Sequence, residues 1–208
     1  MVHRIPTRIS MALALMPMCT GISLAETHSL ALEEVIVTAT KREASLQDVS
    51  IAVTALPDFV LEQAQAFNTE DIVALVPSLS LQKGMNPRSS SFNIRGIGTQ
   101  SFSTAVEPSV STVVDGVVMG RAGQSFMQLL DVERIEVLRG PQGTLFGKNA
   151  SGGVLHIITK DPSEEFEGEL MGGASEGGEY RGGATIAGPI SDNFGGRLTV
   201  FGSHMDGW

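Results

Sequence analysis

The sequence contains few of the residues on which metal and thiol chemistry depend. Its 208 residues include a single cysteine, Cys19, which cannot form an internal disulfide. The four histidines do not have the spacing of metal ligands: His3, His28, His156 and His204. One tryptophan and one tyrosine accompany 24 glycines, a composition that favours turns and strands. We therefore expect neither a metal site nor a reactive thiol.

Basic residues are also scarce. The chain has 14 of them against 23 acidic residues, which gives a formal net charge of -9. A chain of this kind lacks the positive surface that binds a phosphate backbone, so nucleic acid is not an expected partner. Apolar residues make up 42% of the chain, enough for a folded core.

No catalytic arrangement is readable in the sequence. Ser/His/Asp, Cys/His and paired-carboxylate patterns are missing, so we do not expect an enzyme. The stretch from Gly143 to Lys148 approaches a phosphate-binding loop. Its two glycines, however, are separated by three residues instead of four, and Asn149 stands where Ser or Thr would coordinate magnesium. We therefore expect no nucleotide and no other cofactor.

The first 25 residues have the pattern of a secretory signal peptide. Arg4 and Arg8 precede an apolar run from Ile9 to Met18, and the segment ends in Ser-Leu-Ala at residues 23–25. The run is about half of the roughly 20 residues that a membrane-spanning helix needs, so a retained anchor is the weaker interpretation. We expect removal after Ala25 and export of a chain without cysteine.

Between residues 33 and 160 the sequence mixes short strands with small helices. The predicted elements are a strand at Ile51–Ala55, a helix at Asp58–Phe67, a helix at Thr69–Val76 and a strand at Val110–Arg121. Asn68 and Asp71 provide a capping signal for the second helix. From Asp131 to Pro162 we predict a strand, a Gly-Pro turn, a glycine-rich loop and another strand.

The last 46 residues are predicted to form three strands of alternating character, which include Gly168, Tyr180 and Arg197. In the second and third of them, one face is apolar or small and the other is mostly polar. This alternation fits an ordinary hairpin sheet. It also fits the wall of a transmembrane barrel with lipid outside and water inside, and the periodicity alone leaves both interpretations open.

Several motifs together resemble the TonB-dependent outer-membrane receptors. EEVIVTATKRE, from Glu33, resembles the TonB box and the segment that follows it. NIRGIG (Asn93–Gly98), VDGV (Val114–Val117) and above all RIEVLRGPQGTLFGKNASGGVLHIITK (Arg134–Lys160) resemble the plug domain. The resemblance extends from Glu33 to the last residue. It implies a plug inside a barrel of about 22 strands, with uptake energised by TonB from the inner membrane.

The resemblance implies an α+β plug domain, of mixed short strands with small helices, followed by the first antiparallel strands of an incomplete transmembrane β-barrel. The expected divisions are a signal peptide at 1–25, a tether with the TonB box at 26–44, a plug at 45–162 and a barrel start at 163–208. Three strands are fewer than the eight that a barrel needs, so a fragment is expected. The seven residues between Ala25 and Glu33 are too few for a signalling domain.

The resemblance assigns TonB binding to a segment expected to be exposed and extended. Its residues are Glu34, Val35, Ile36, Val37, Thr38 and Ala39. Such a segment is suited to add as a strand to the edge of a sheet in TonB. The alternative interpretation is an ordinary strand of the plug.

Other residues receive roles from the resemblance and from local chemistry. Arg95 and Arg139 are expected to form ion pairs between plug and barrel wall. Tight turns and close backbone approach are expected at Gly96, Gly98, Gly140, Gly143, Gly147, Gly152 and Gly153. The irregular stretch from Lys83 to Phe102 supplies the candidates for ligand contact, Asn86, Arg88 and Gln100.

The implied function is TonB-dependent active uptake of a scarce ligand, such as a ferric siderophore or another large nutrient, across the outer membrane. The expected partners are TonB with its inner-membrane complex, outer-membrane lipid and a small or medium ligand. The alternative is a soluble periplasmic binding or scaffold protein built from a plug-like domain. That alternative predicts a soluble monomer after export.

Overall fold

The computed structural model describes residues 35–100, 105–175, 178–191 and 193–206. The predicted signal peptide and Glu34 lie outside these ranges. The elements up to residue 118 are β1 (Ile36–Val37), β2 (Ala44–Ser45), β3 (Val53–Pro57), α1 (Asp58–Gln63), β4 (Leu79–Gln82), β5 (Ser91–Ile94), β6 (Val110–Val114) and β7 (Val117–Val118). They are followed by β8 (Val132–Arg139), α2 (Gly143–Phe146), β9 (Gly153–Thr159), β10 (Glu167–Ser175), β11 (Glu179–Ser191) and β12 (Phe194–Met205). Short 3-10 turns occur at Asp71–Ala74, Pro87–Ser89 and Ala122–Ser125.

A five-stranded sheet in the order β3-β8-β9-β6-β7 forms the centre of the fold. β6 and β9 run parallel, and the other neighbours are antiparallel. The central strands β8 and β9 are rich in Val, Ile and Leu, as expected for strands covered on both faces. Ile135 and Leu155 pack into the core on one face, and Leu138 and Val154 pack into the core on the other.

Two small hairpins and the short helices cover this sheet. The β4–β5 hairpin and α1 contribute Leu79, Ile94 and Leu61 to the first core. On the opposite face, Val37 from β1 and Phe146 from α2 pack into the second core. The N-terminal segment therefore contacts the same face of β8 that carries Leu138, and Glu136 shares that face because strand residues alternate.

A separate antiparallel sheet is formed by β10, β11 and β12. One of its faces presents exposed apolar side chains, with Leu198 paired to Ile186 and Val200 paired to Ala184. On the other face, the hydroxyls of Thr185 and Thr199 lie 2.9 Å apart. The predicted alternation of an apolar and a polar face is therefore confirmed, as is the fold class of mixed short strands and small helices followed by antiparallel strands.

The two predicted helices are shorter than expected. α1 ends at Gln63, and Gln65 adopts a φ of 52°, which a helix cannot continue through. The segment predicted as a helix at Thr69–Val76 contains only a 3-10 turn. The carboxylate of Asp71 accepts hydrogen bonds from the backbone N–H groups of Phe67 and Asn68, each at 2.9 Å. The Asp71 carboxylate therefore holds the backbone before the 3-10 turn, whose N-cap residue Glu70 makes no side-chain capping hydrogen bond.

The prediction of one continuous strand at Val110–Arg121 is wrong. It folds into the β6–β7 hairpin, because Asp115 and Gly116 both adopt positive φ angles, 46° and 83°. An Asp-Gly pair between apolar stretches is a recognised hairpin signal, so the sequence carried the information. Within the described ranges, no helix is long and apolar enough to cross a bilayer.

Candidate functional site

The predicted TonB-binding segment is docked against the central sheet. Ile36 pairs with Ser45, and Val37 pairs with Ala44. The side chains of Val37 and Ala39 are fully buried, whereas Ile36 is 50% exposed. The prediction of an exposed segment is therefore wrong for this structure. Its physical reason is the alternation of the segment, which gives Val35, Val37 and Ala39 one apolar face that packs into the core.

The hydrogen bonds of β1 leave one strand edge facing away from β2. The carbonyl of Val35 accepts from the N–H of Leu46 at 2.9 Å, so backbone groups of alternate residues point toward β2. Those of Ile36 and Thr38 consequently point the other way. The N–H of Thr38 donates to Oε1 of Glu136 at 2.7 Å, and its hydroxyl contacts the same oxygen at 3.2 Å. A carboxylate thus occupies part of the free edge of β1.

Glu136 is fully buried in β8 and has several donors around it. Nε of Arg134 donates to Oε1 at 3.0 Å, and Nδ1 of His156 lies 3.5 Å from Oε2. Nη2 of Arg134 also donates to the hydroxyl of Thr38 at 3.3 Å. Burial by itself would raise the pKa of Glu136, but the nearby His156 imidazole and the hydrogen bonds from the Thr38 N–H and Arg134 outweigh it and lower that pKa. The carboxyl is therefore charged at neutral pH.

Sequence reasoning missed this role for Glu136. The signal was present, because two acidic residues and Arg134 lie within an apolar strand where charges are costly unless paired. Arg134 contacts Glu133 as well as Glu136. The partner from the N-terminal segment lies 98 positions away, a separation that no local pattern reveals.

An ion pair joins the central part of the chain to the three-stranded sheet, but it uses residues that were not predicted. Nε and Nη2 of Arg197 each donate to Asp131 at 2.5 Å, and the hydroxyl of Thr199 donates to the same carboxylate at 2.8 Å. The two-pronged geometry is the strong form of an arginine–carboxylate pair. Burial opposes the charge, yet the bonds from Arg197 and Thr199 lower the pKa of Asp131.

The two arginines predicted to pair with the barrel wall lie elsewhere. Nε and Nη2 of Arg139 donate to the carbonyls of Ala52 and Val53, at 3.4 and 3.3 Å. Arg95 is exposed and has a φ of 52°. In the described part of the chain, neither guanidinium forms an ion pair with β10, β11 or β12. Pairing with other parts of a wall stays a prediction for both.

The three candidates for ligand contact are all exposed. Oδ1 of Asn86 accepts from the N–H of Ser89 at 3.1 Å, so this side chain also shapes its own loop. Arg88 belongs to the same loop. Gln100 follows Thr99, whose carbonyl accepts from the hydroxyl of Ser91 at 2.6 Å, and this bond joins the two loop segments.

The predicted turn glycines differ in their surroundings. Positive φ angles occur at Gly96, Gly140, Gly147 and Gly153. A side chain at Gly98 would collide with Asn93, and one at Gly152 would lie 3.1 Å from Ile97. Gly153 combines both constraints, since its φ is 146° and a Cβ there would meet the Leu138 carbonyl and Ile94. Gly143 has neither feature and begins α2.

The sequence of this chain is similar to those of known outer-membrane receptors. The chain matches the family described as TonB-dependent Receptor Plug Domain over residues 45–154. It is 34% identical over 176 residues to the pesticin receptor of Yersinia pestis, covering 83% of this chain and 25% of that protein. It is 24% identical to the vitamin B12 transporter BtuB of Photobacterium profundum, covering 95% of this chain and 32% of that one.

Solved structures give the same result. The ferric yersiniabactin uptake receptor FyuA from Yersinia pestis superimposes with a TM-score of 0.67 at 32% identity, over 73% of this chain and 24% of FyuA. The ferripyoverdine receptor of Pseudomonas aeruginosa has a similar fold, with a TM-score of 0.68 at 20% identity, over 80% of this chain and 22% of that one. The chain thus spans about a quarter to a third of the length of these relatives. It belongs to the TonB-dependent receptors of the outer membrane, and residues 45–154 match their plug domain.

Proposed function

We propose that this chain supplies the TonB-coupling segment and the gating plug of a receptor that takes up a scarce ligand, such as a ferric siderophore, across the outer membrane. The observation that carries the proposal is the N-terminal strand β1, whose outer edge is occupied in part by the Glu136 carboxylate and not by another strand. Relatives named as receptors for ferric yersiniabactin and as vitamin B12 transporters support uptake as the overall activity.

Coupling would proceed by exchange of strand partners. A strand of TonB adds to the edge of β1 that carries the backbone groups of Ile36 and Thr38. The N–H of Thr38 then leaves the carboxylate of Glu136 for a carbonyl of the partner strand. Because a carbonyl of the partner replaces the carboxylate as acceptor, the exchange costs less free energy than leaving that N–H without a partner, and the contact is reversible. A reversible contact is what repeated cycles of uptake require.

In the sheet formed by β10, β11 and β12, the apolar face would contact lipid and the polar face would contact the plug. Leu170, Leu198 and Val200 are all more than half exposed on the first face. On the second, Arg197 binds Asp131, and the guanidinium of Arg181 lies 4.1 Å from the ring centre of Phe67. An apolar outer face does not suit the alternative, a soluble periplasmic scaffold protein.

An Ile36→Pro substitution in the complete receptor tests the coupling role. Proline removes the N–H that faces away from β2, so the β1–β2 pairing is retained while strand addition is impaired. We expect energised uptake to be lost and ligand binding to be retained. Ile36→Ala, which keeps the N–H, is the matched control. Unchanged uptake in the proline variant would contradict the proposed coupling segment.

A further inference from the structure

A cavity of about 570 Å³ is lined by both the N-terminal hairpin and the central sheet. Its wall includes Thr38 from the proposed coupling segment, Arg134 from β8, His156 from β9 and the turn at Asp115–Gly116. The register of the strands places these residues toward the end of the sheet where β8 begins and β6 ends. Because Thr38 belongs both to the wall and to the free edge of β1, a partner strand on that edge would lie beside the cavity.

Two buried polar atoms near this cavity have no hydrogen-bond partner among the described residues. They are Oε2 of Glu136 and Nδ1 of His156, which lie 3.5 Å apart. The two residues are 0% and 6% exposed. Buried polar atoms are nearly always hydrogen-bonded, so an unpartnered pair marks a place where another polar group can bind.

The Glu136 carboxylate lies directly behind the cavity wall. Thr38 and Arg134 donate to its Oε1, and His156 faces its Oε2. All three of these residues line the cavity. Movement of Thr38 away from the carboxylate would therefore open the cavity to a buried negative charge.

Strand addition at β1 would take a donor from that charge. The N–H of Thr38, at 2.7 Å from Oε1, is the group that the partner strand takes over. Oε1 then keeps the longer contacts of the Thr38 hydroxyl at 3.2 Å and of Nε of Arg134 at 3.0 Å, while Oε2 has no hydrogen bond. A buried carboxylate that loses a donor is strongly destabilised unless another donor or a cation replaces it. The partner strand is the nearest source of that replacement.

The charges around the cavity favour a cation as the replacement. The carboxylates of the wall belong to Glu43, Asp115, Glu133 and Asp161, and Glu136 behind the wall adds a fifth. The basic residues of the wall are Lys41, Arg42 and Arg134. Nζ of Lys41 lies 4.6 Å from the ring centre of Phe146, and Arg134 contacts both Glu133 and Glu136, so two of the bases are already engaged. The surplus of negative charge attracts cations and disfavours anions.

We propose that the strand that adds to β1 carries a lysine or arginine whose side chain enters this cavity and pairs with Glu136. The inference rests on the proposed coupling function, and it names the chemistry of the partner residue within it. Neighbouring strands lie about 4.8 Å apart, so a long basic side chain beside Thr38 reaches the carboxylate. Its charged hydrogen bonds replace the one that the Thr38 N–H gives up. A strand without a cation at this position leaves Glu136 poorly compensated, so the cavity discriminates between partners.

A double-mutant cycle tests this pairing with the complete receptor in detergent and the purified periplasmic domain of TonB from the same organism. Each lysine and arginine of the TonB strand is replaced by glutamine in turn, and affinity is measured for the unaltered receptor and for Glu136→Gln. We expect one substitution to weaken binding about tenfold to the unaltered receptor and less than about twofold to Glu136→Gln. The cycle compares losses within each receptor, so looser docking in Glu136→Gln does not affect the result.

Glu164→Gln is the matched control for this cycle. Glu164 is exposed and lies outside the cavity wall. The same TonB substitution should therefore still weaken binding about tenfold when the receptor carries Glu164→Gln. A loss reduced equally in Glu164→Gln and Glu136→Gln would overturn the inference.

Asp161→Lys provides a second measurement that leaves the buried carboxylate unchanged. Asp161 is exposed and lines the cavity, so the substitution adds a positive charge at the cavity without disturbing the core. We expect about fivefold weaker binding of the TonB domain at low salt and a smaller loss at high salt, because salt screens exposed charges. Unchanged binding at low salt would overturn the inference.

The remaining outcomes separate the inference from the proposed function. Equal losses in the unaltered and Glu136→Gln receptors, or no loss for any basic residue of the TonB strand, would overturn the inference. If Ile36→Pro nevertheless abolishes binding of the TonB domain, the coupling function stands and the partner chemistry is wrong. If Ile36→Pro binds the domain as tightly as the unaltered receptor, the coupling segment is wrong. Absence of binding to the unaltered receptor would contradict both.

Discussion

The backbone N–H of Thr38 donates to the buried carboxylate of Glu136 at 2.7 Å, across 98 positions of sequence. This bond connects the proposed coupling segment to strand β8 of the central sheet. Arg134 binds both Glu136 and Thr38, so the three residues form a closed group. Release of the segment therefore requires these hydrogen bonds to break together with the β1–β2 pairing.

Substitution Glu136→Gln should loosen the docked segment. The amide oxygen can still accept from Thr38, but a neutral acceptor forms a weaker bond than a carboxylate by roughly 1 to 2 kcal/mol. We expect about tenfold faster hydrogen exchange at the Thr38 amide and more rapid proteolysis near residues 35–39. Glu133→Gln is the matched control, since Glu133 contacts Arg134 but not Thr38. Identical exchange in both variants would argue against the role of Glu136.

Acid should release the same segment. Because the pKa of Glu136 is lowered in the docked state, ionisation stabilises docking above the ordinary carboxyl pKa, and this contribution disappears as pH falls through the lowered value. We expect docking to persist from neutral pH to about pH 5 and to weaken below about pH 4. Accessibility of residues 35–39 to protease or spin labels, followed against pH, would measure this.

Glu136→Gln supplies the control for the acid experiment. It removes the titrating carboxyl, while Arg134 and His156, which face the same position, remain. The variant should therefore show a flat response between pH 5 and pH 3.5, a window set by ordinary carboxyl pKa values of about 4. An equally steep acid response in the variant would assign the release to other groups.

Asp131→Asn should weaken the contact between plug and barrel strands. It removes one charge of a pair whose side chains are only 14% and 11% exposed. Arg197 then keeps a longer ion pair with Glu167, at 3.8 Å. We expect a loss of about 2 kcal/mol in unfolding free energy, measured by denaturant titration of the detergent-solubilised receptor. Glu164→Gln, at an exposed position, should change stability by less than about 0.5 kcal/mol. A similar loss in both variants would contradict the assignment.

Two glycines that were both predicted to serve tight turns or close backbone approach should differ in how much an alanine substitution lowers stability. Gly153→Ala introduces a Cβ 2.7 Å from Ile94 at a φ of 146°, so we expect a loss of at least about 2 kcal/mol. Gly143→Ala has no atom within 4 Å of the new Cβ, lies in α2 and should be neutral or slightly stabilising. Thermal unfolding of the two variants provides the comparison. Equal melting temperatures would show that the close approach at Gly153 is unimportant.

The parts of the fold that could be predicted from sequence are those with strong local patterns. The apolar runs of β8 and β9 and the alternation along β11 and β12 identify strands whose positions the structure reproduces within a few residues. The break in the strand predicted at Val110–Arg121 was missed although Asp115-Gly116 signalled it. Here a recognisable turn motif was outweighed by the surrounding β-branched residues.

The site was harder to predict because its contacts are distant in sequence. Val35–Ala39 has the composition of an extended segment, but whether it is free or docked depends on Glu136 and on the apolar surface near Leu138. Asp131 was likewise not a candidate, since its partner Arg197 lies 66 positions later. The resemblance and local charge favoured Arg95 and Arg139, and only the tertiary structure identifies Arg197 as the arginine that pairs with Asp131.

The geometry of the β1–β2 hairpin determines how its hydrogen bonds break when a force pulls on its N-terminal end. Its two strands are antiparallel and joined by residues 38–43, so residue 35 and residue 46 lie side by side at the open end. A pull on the N-terminal side acts on that open end while residue 46 is held by the plug. The ladder then opens one rung at a time from Val35 toward Thr38, which needs far less force than shearing all rungs at once. The five-stranded sheet behind it would therefore remain intact while its leading hairpin unzips.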